Sequence, residues 1–238
     1  MASRSAEAIL FDVDFTLIEP GPAFRAEGYG AFCARYAIDV DMARFDEAVR
    51  AAASLLECPG HAYDPEMFVR YTRAIIEGMG GTGERVSACA REVYEAWASF
   101  AHFSLYPDVE PSLRALAADG IRIGLVSNAQ RPLTGFASHF ALDGLIDACV
   151  TSAEHGYLKP HPSIFAAVLR QMDVDPACAV MVGDSFRDDV QGAREAGLRG
   201  VLVRRAGRGA PLPGESDEEL RELGIPVIAS LAELRPLL

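Results

Sequence analysis

Short apolar runs alternate with amphipathic helical patterns along most of the sequence, and this alternation is what most restricts the fold. The runs have the length and the flanking turn residues of buried strands. They are Ala8–Val13, Ile121–Val126, Ala148–Val150, Ala179–Val182, Gly200–Val203 and, more weakly, Pro226–Ile228. Helical patterns lie between them, over Glu110–Ala118, Pro162–Met172 and Asp188–Ala196. Because strands that alternate with helices are joined by right-handed crossovers, we predict an α/β fold with a three-layer open parallel sheet.

The stretch from about Phe24 to His102 interrupts the alternation, since it contains helical patterns and no convincing strand. The helices predicted there are Phe24–Tyr36, Met42–Leu56, Pro65–Gly78 and Glu84–Phe103. Proline-containing joints lie at both ends of the stretch, as they do in hinges. We therefore predict an α/β core formed by residues 1–19 and 104–238, and an all-helical cap domain, residues 20–103, that acts as a lid. A helical layer packed rigidly on the sheet is the alternative.

The chain is acidic, with 34 Asp and Glu against 22 Lys and Arg and a formal net charge of −12 over 238 residues. Such a chain repels the phosphate backbone of nucleic acids, so we predict no nucleic-acid partner. No window approaches the roughly 20 apolar residues that span a bilayer, and Ala8–Phe11 is too short for a signal-peptide core. The cysteines form no close pair, which favours reduced thiols; they are Cys33, Cys58, Cys89, Cys149 and Cys178. We therefore predict a cytoplasmic protein with no membrane partner.

Carboxylates follow two of the predicted strands, at the edge of the sheet where parallel strands bind ligands. Asp12 and Asp14 end the first strand, and the strand period of two directs both to the same side. Asp184 follows Ala179–Val182, and Asp188 and Asp189 come shortly after it. A cluster of carboxylate oxygens is what Mg²⁺ binds, usually together with substrate phosphate. Helix capping is the alternative role for Asp188 or Asp189.

Two further polar segments end at the same predicted edge. Ser127 and Asn128 follow the strand Ile121–Val126, and both side chains can hydrogen-bond phosphate oxygens. Lys159 precedes the helix Pro162–Met172 and is the only lysine, whereas every other basic residue is an arginine. Since lysine acts as a compact point charge and arginine as a planar fork, its single use here indicates a functional role.

These four segments, in this order, resemble the four motifs of the haloacid dehalogenase superfamily. They are Asp12-Val13-Asp14-Phe15-Thr16-Leu17, Ser127-Asn128, Lys159-Pro160 and Gly183 to Asp189. The resemblance implies a Rossmann-like core, and the helical stretch lies where this family inserts a cap. Members that act on phosphate esters have an aspartate two residues after the nucleophile, and dehalogenases lack it. Asp14 therefore implies a phosphatase, while Phe15 departs from the glycine that is commoner at its position.

The resemblance also implies the chemistry of each segment. Asp12 would attack phosphorus to form an aspartyl-phosphate, and Asp14 would act as the general acid and then the general base. Lys159 would neutralise charge on the nucleophile and the phosphoryl group. The residues implied as orienting the phosphate oxygens are Thr16, Ser127 and Asn128, together with Lys159.

Mg²⁺ is the implied cofactor, held by Asp12, by the backbone carbonyl of Asp14, by Asp184 and by Asp188 or Asp189. Spacing does not decide between the last two, and we favour Asp188. The implied substrate is a small phosphorylated metabolite, and the enzyme would be a monomer or a homodimer.

Other functions remain open on the sequence alone. A phosphomutase would pass the phosphoryl group to a second sugar hydroxyl instead of water. A haloacid dehalogenase or a non-catalytic binding module of the same fold are further alternatives. A dinucleotide enzyme is not supported, since no GxGxxG follows the first strand and Gly207-Arg208-Gly209 lies in a loop-like stretch.

Overall fold

Buried segments of the chain form strands where the alternation predicts them. The computed structural model describes residues 6–56, 59–205 and 215–238. The strands within these ranges are β1 (Ala8–Phe11), β2 (Ile18–Pro20), β3 (Phe103–Leu105), β4 (Arg122–Ser127), β5 (Ala148–Thr151), β6 (Ala179–Gly183), β7 (Arg199–Val203) and β8 (Val227–Ile228). Cys58 and Gly207-Arg208-Gly209, which the sequence analysis considered, lie outside the described residues.

Six of these strands form one parallel sheet, in the order β5-β4-β1-β6-β7-β8. All residues of β1 and β6 are buried, because these strands occupy the middle of the sheet. Parallel strands covered on both faces read as continuous apolar runs, which is why the sequence marks them so clearly. The predicted α/β class with an open parallel sheet is confirmed.

The α-helices of the described residues lie in the connections between strands. They are α1 (Ala26–Arg35), α2 (Phe45–Ala52), α3 (Pro65–Gly78), α4 (Val86–Ala96), α5 (Val109–Ala118), α6 (Phe136–His139), α7 (Ser152–His155), α8 (Pro162–Met172), α9 (Gly192–Glu195) and α10 (Asp217–Glu222). None of the helices in this part of the chain has both the length and the apolar character needed to cross a membrane.

Helix α8 shows how local sequence sets the elements around the sheet. Pro162 occupies the first turn, and the His161 side chain accepts a hydrogen bond from the Ser163 backbone N–H at the N-terminus. Asp173 ends the helix in the left-handed conformation. The apolar face of α8 packs with Leu10 and Val126 of the sheet in one core cluster. The predicted bounds of this helix are confirmed.

The helix predicted over Asp188–Ala196 begins earlier and has a different first part. Residues Phe186–Gln191 are π-helical, and α9 follows directly. Ser185 caps this segment, since its hydroxyl accepts a hydrogen bond from the Asp188 backbone N–H. A π-helical turn contains more residues than an α-helical one, so it changes which side chains point inward. This local geometry decides the position of the acidic residues described below.

The described chain divides into two compact units, Met1–Glu19 with Leu105–Leu238, and Pro20–Ser104. The second unit is built from α1 to α4, and α3 packs against both α2 and α4. Its interior includes Met67, Ile75, Ile76 and Val93. The predicted bounds of α3 are confirmed, but the last helix ends at Ala96 and not at Phe103.

Two short strands in the connections between the units were not predicted. Strands β2 and β3 form a separate two-stranded sheet. Each has three residues, which is too few for a period of two to be recognised in the sequence. Of the cysteines, Cys33, Cys89 and Cys178 are buried free thiols and Cys149 is a half-buried one.

Candidate active site

The loop that follows β1 carries the first pair of predicted site residues. Asp12 is buried and its backbone N–H donates to the Val182 carbonyl at 2.9 Å, which extends the pairing of β1 with β6 by one residue. The chain then turns sharply, and Phe15 has a φ of +66°. This is the left-handed region that favours glycine, so the commoner glycine at this position has a physical reason.

The Lys159 ammonium connects the elements at this edge of the sheet. Its side chain is 2% exposed, and Nζ donates to Asp12 Oδ1 and Asp189 Oδ1, each at 2.6 Å. A third hydrogen bond, at 2.9 Å, goes to the Val126 carbonyl at the end of β4. All three ammonium hydrogens therefore have acceptors. Burial alone would lower the pKa of Lys159, but the two carboxylates outweigh it and raise the pKa, so the group stays charged.

Asn128 fixes the backbone of Lys159. Its Nδ2 donates to the Lys159 carbonyl at 3.1 Å, and its Oδ1 accepts from the Lys159 N–H at 2.7 Å. These bonds use one of the two Nδ2 hydrogens, so the expectation that Asn128 orients phosphate oxygens stays a prediction. In the structure, Asn128 holds the backbone of Lys159 in place.

Thr16 and Ser127 contact the two aspartates of the β1 loop. Thr16 Oγ1 donates to Asp12 Oδ2 at 3.0 Å, and Ser127 Oγ lies 3.5 Å from Asp14 Oδ2. Both hydroxyl side chains are buried. The Asp12 carboxylate is thus held on one oxygen by Thr16 and on the other by Lys159.

Three carboxylates converge beside Lys159, and they include Asp189 instead of Asp188. Asp12, Asp184 and Asp189 each offer an oxygen, and these oxygens all lie within 4.8 Å of one another. Asp189 is 1% exposed, and its Oδ2 accepts from the Ser185 N–H at 3.0 Å. Asp188 is only half-buried, and its backbone N–H donates a hydrogen bond to the Ser185 hydroxyl. The structure thus brings Asp189, and not the favoured Asp188, together with Asp12 and Asp184, because the π-helical turn directs Asp189 inward. Residue spacing alone could not reveal this.

Arg131 is a site residue that the sequence analysis missed. It lies in the loop after β4, its side chain is fully buried, and its Nη2 forms an ion pair with Asp14 Oδ1. Burial raises the pKa of Asp14, while the Arg131 charge opposes that shift and the Asp12 charge adds to it. Nothing in the sequence marks Arg131 among the many arginines, since its partner is found only in the folded chain.

The chemistry of this arrangement follows from its charges. The three carboxylates outnumber the one ammonium ion, that of Lys159, which binds two of them, so a divalent cation suits the group. All its donors are carboxylate oxygens, which suit a hard ion such as Mg²⁺ and not a soft one. The Asp12 carboxylate is held by two hydrogen bonds at the carboxyl end of β1, as a nucleophile would be.

Residues 6–197 match the family described as haloacid dehalogenase-like hydrolase. A phosphoserine phosphatase from Thermus thermophilus is 31% identical, with 90% of this chain and 94% of the relative covered. A glyceraldehyde 3-phosphate phosphatase from Methanothermobacter thermautotrophicus is 26% identical, over 98% of this chain and 99% of the relative.

The fold also resembles solved structures. The crystal structure of a HAD phosphatase from Thermococcus onnurineus superimposes with a TM-score of 0.63 at 24% identity. The alignment covers 98% of this chain and 97% of that one. At this level of identity the likeness concerns the fold.

Proposed function

The chain belongs to the haloacid dehalogenase-like hydrolase family and is one of its phosphatases, and we propose that it hydrolyses a small phosphate monoester through an aspartyl-phosphate at Asp12. The observation that carries the proposal is the position of Asp12. Its carboxylate lies at the end of β1, bound by Lys159 and Thr16, beside Asp184 and Asp189.

The reaction has two displacements. In the first, an oxygen of Asp12 attacks phosphorus, the bond from phosphorus to the ester oxygen breaks, and Asp14 gives a proton to the leaving alcohol. In the second, water attacks phosphorus while Asp14 accepts a proton from it. The bond from phosphorus to Asp12 then breaks, and inorganic phosphate is released. Lys159 binds the nucleophile and offsets negative charge during both displacements.

The cluster of three carboxylates, those of Asp12, Asp184 and Asp189, fits Mg²⁺. Asp12, Asp184 and Asp189 would hold the ion, together with the backbone carbonyl of Asp14. When bound, Mg²⁺ supplies positive charge that offsets the repulsion between the Asp12 carboxylate and the phosphate dianion. The protein's own part is to keep these oxygens close to one another, which Lys159 and the Ser185 N–H do by binding Asp189.

Arg131 gives Asp14 a fixed orientation. Its ion pair with Oδ1 and the Ser127 hydroxyl near Oδ2 hold the carboxylate from two sides. General acid catalysis requires the donor to lie within hydrogen-bond reach of the leaving oxygen, so this orientation is part of the chemistry.

The helical unit Pro20–Ser104 is proposed to be the cap that selects the substrate. It is inserted in the chain directly after the loop that carries Asp12 and Asp14. The relatives named above act on phosphoserine and on glyceraldehyde 3-phosphate. A small phosphorylated metabolite is therefore the proposed substrate class.

A panel of phosphate monoesters with Mg²⁺, scored by release of inorganic phosphate, tests the proposed function. The Asp12→Asn variant should release phosphate only at the background rate, whereas Asp143→Asn, at an exposed aspartate, should match the wild type. Borohydride reduction during turnover should convert Asp12 to homoserine, detected by mass spectrometry. A wild-type rate for Asp12→Asn would contradict the mechanism, and sugar-phosphate isomerisation without phosphate release would indicate a phosphomutase.

A further inference from the structure

Besides Lys159 and Arg131, the buried cations include Arg205, which lies outside the cluster of Asp12, Asp184 and Asp189. Its side chain binds the main chain of the loop after β1. Arg205 follows β7 and is buried. Its Nε and Nη2 donate to the Thr16 carbonyl at 3.2 and 2.7 Å. A backbone carbonyl that accepts two hydrogen bonds from one guanidinium is held in direction as well as in distance.

The carbonyl that Arg205 binds belongs to the residue that holds the proposed nucleophile. The Thr16 hydroxyl donates to Asp12 Oδ2 at 3.0 Å. Its neighbour Phe15 has a left-handed backbone, with a φ of +66°. A non-glycine residue in this conformation persists only where the surrounding structure holds it. The hydrogen bonds from Arg205 to Thr16 supply such a hold one residue away.

Arg205 is itself fixed by its neighbours. Its Nη1 lies 2.8 and 2.7 Å from the two oxygens of Asp108, and its guanidinium lies over the Tyr106 ring at 4.3 Å. Asp108 Oδ2 also accepts hydrogen bonds from the Ser230 hydroxyl and the Leu231 N–H, each at 2.7 Å. A continuous series of hydrogen bonds therefore runs from the segment after β8, through Asp108 and Arg205, to Thr16.

We propose that Arg205 is a positioning residue for catalysis, which fixes the Thr16 carbonyl and thereby the orientation of the Asp12 carboxylate. The proposal rests on the proposed function, in which Asp12 is the nucleophile. Arg205 does not contact the reacting atoms, because its guanidinium is occupied by Thr16, Asp108 and Tyr106. Displacing a reacting group by about 1 Å can cost on the order of 100-fold in rate. The loss of Arg205 should therefore act on the chemical step and not on substrate binding.

The test measures kcat and KM of full-length Arg205→Met and Arg205→Lys with p-nitrophenyl phosphate and Mg²⁺. The Met variant should lose kcat by about 10- to 100-fold, with KM within about threefold of the wild type. The Lys variant should recover part of kcat, since an ammonium can still donate to the Thr16 carbonyl. If the Met variant does not fold, the kcat and KM of the Lys variant, each compared with the wild type, provide the test: a lower kcat with an unchanged KM supports the proposal, and a wild-type kcat contradicts it.

Arg199→Met is the matched control. Arg199 lies in β7 of the same sheet and also binds main-chain carbonyls, those of Leu237 and Leu238. Its loss should lower Tm and leave kcat unchanged. Equal effects of the Arg199 and Arg205 variants on both Tm and kcat would overturn the proposal, as would an Arg205→Met variant with wild-type kcat.

A second readout keeps this test separate from that of the proposed function. The side-chain carboxyl ¹³C signal of Asp12, assigned by its absence in Asp12→Asn, should move in Arg205→Met and stay in place in Arg199→Met. If Arg205→Met leaves the Asp12 signal in place, Arg205 does not position the Asp12 carboxylate, whether or not the enzyme is active. A wild-type protein that releases no phosphate would contradict the proposed function, and the same signal would still decide the role of Arg205.

Discussion

Gly183 lies directly against the carboxylate of Asp189, so closely that a β-carbon at Gly183 would be 2.1 Å from Asp189 Oδ2. No side chain other than hydrogen is compatible with the observed position of Asp189. Gly183→Ala should therefore displace Asp189 from its cluster with Asp12 and Asp184. The Mg²⁺ concentration needed for half-maximal activity should then rise by at least about tenfold. The measurement is phosphate release as a function of Mg²⁺ concentration.

Gly200→Ala is the control for crowding alone. A β-carbon at Gly200 would lie 2.8 Å from a methyl carbon of Val190, and its closest contacts include no carboxylate. This variant should lose stability but keep the Mg²⁺ requirement of the wild type. An equal rise of the Mg²⁺ requirement in Gly183→Ala and Gly200→Ala would show that crowding, and not the displacement of Asp189, causes the rise.

Asp188 and Asp189 form an adjacent pair in which only the second belongs to the carboxylate group. Asp189→Asn should raise the Mg²⁺ requirement by about 10- to 100-fold, because it removes a carboxylate from the proposed metal site. Asp188→Asn should change it by less than about twofold and serves as the matched control. A larger effect at Asp188 would favour Asp188 as the fourth acidic site residue.

Lys159 forms ion pairs with two buried carboxylates, those of Asp12 and Asp189. Removing one partner of a buried ion pair leaves uncompensated charge and typically costs about 3–5 kcal/mol. Lys159→Met should therefore lower the free energy of unfolding by that order, measured by urea denaturation without divalent cations. Arg73→Met removes an exposed ion pair with Glu77 and should have no measurable effect. A stable Lys159→Met variant would mean that the carboxylates are already neutral.

Arg131 orients the proposed general acid, so its loss should depend on the leaving group. An alkyl ester needs protonation of its leaving oxygen more than p-nitrophenyl phosphate does, since p-nitrophenolate leaves without help. Arg131→Met should lose kcat by about 100-fold with an alkyl phosphate and clearly less with p-nitrophenyl phosphate. Arg114→Met, at an exposed arginine paired with Glu110, should alter neither rate. Equal losses with both esters would argue against a role through Asp14.

Asp108 should contribute stability that depends on pH. Its burial alone would raise the pKa of the carboxyl, but hydrogen bonds from Arg205, Ser230 and the Leu231 N–H outweigh this and hold the pKa below its usual range. A carboxyl with a lowered pKa stabilises the fold at pH values above its pKa in the unfolded chain, which is about 3.9. This contribution is lost as the pH falls through the pKa in the folded protein. The Tm difference between wild type and Asp108→Asn should therefore be largest above about pH 5 and shrink below about pH 4.

Thermal unfolding at pH 6, 5, 4 and 3 checks this expectation. Asp143→Asn, at an exposed aspartate, shows what the same chemical change does without buried partners. A constant difference for Asp108→Asn across the series would mean that its hydrogen bonds do not depend on ionisation.

The sheet could be predicted from the sequence because its strands are buried on both faces. Strand β6, for example, is a continuous apolar run because all its residues are buried. Helix α8 shows apolar residues at helical spacing because one of its faces is buried. The order of the acidic, hydroxyl and lysine segments also placed Asp12 and Lys159 at one edge, where the structure joins them by a hydrogen bond of 2.6 Å.

The remaining features depend on geometry that residue spacing does not contain. The π-helical turn at Phe186–Gln191 decides that Asp189 faces the site. Arg131 binds Asp14 and Arg205 binds Thr16, and each partner lies more than 90 residues away in the chain. Strands β2 and β3 are too short to leave a pattern. Local sequence thus predicts elements, whereas contacts between distant segments decide the details of the site.

The single lysine also makes the protein convenient for spectroscopy. Growth on isotope-labelled lysine would place ¹⁵N in one side chain only, and that side chain binds both Asp12 and Asp189. The chemical shift and the hydrogen-exchange rate of this one ammonium group would report directly on the state of the two carboxylates. Substrate analogues could then be compared by one resonance, without assignment of the rest of the spectrum.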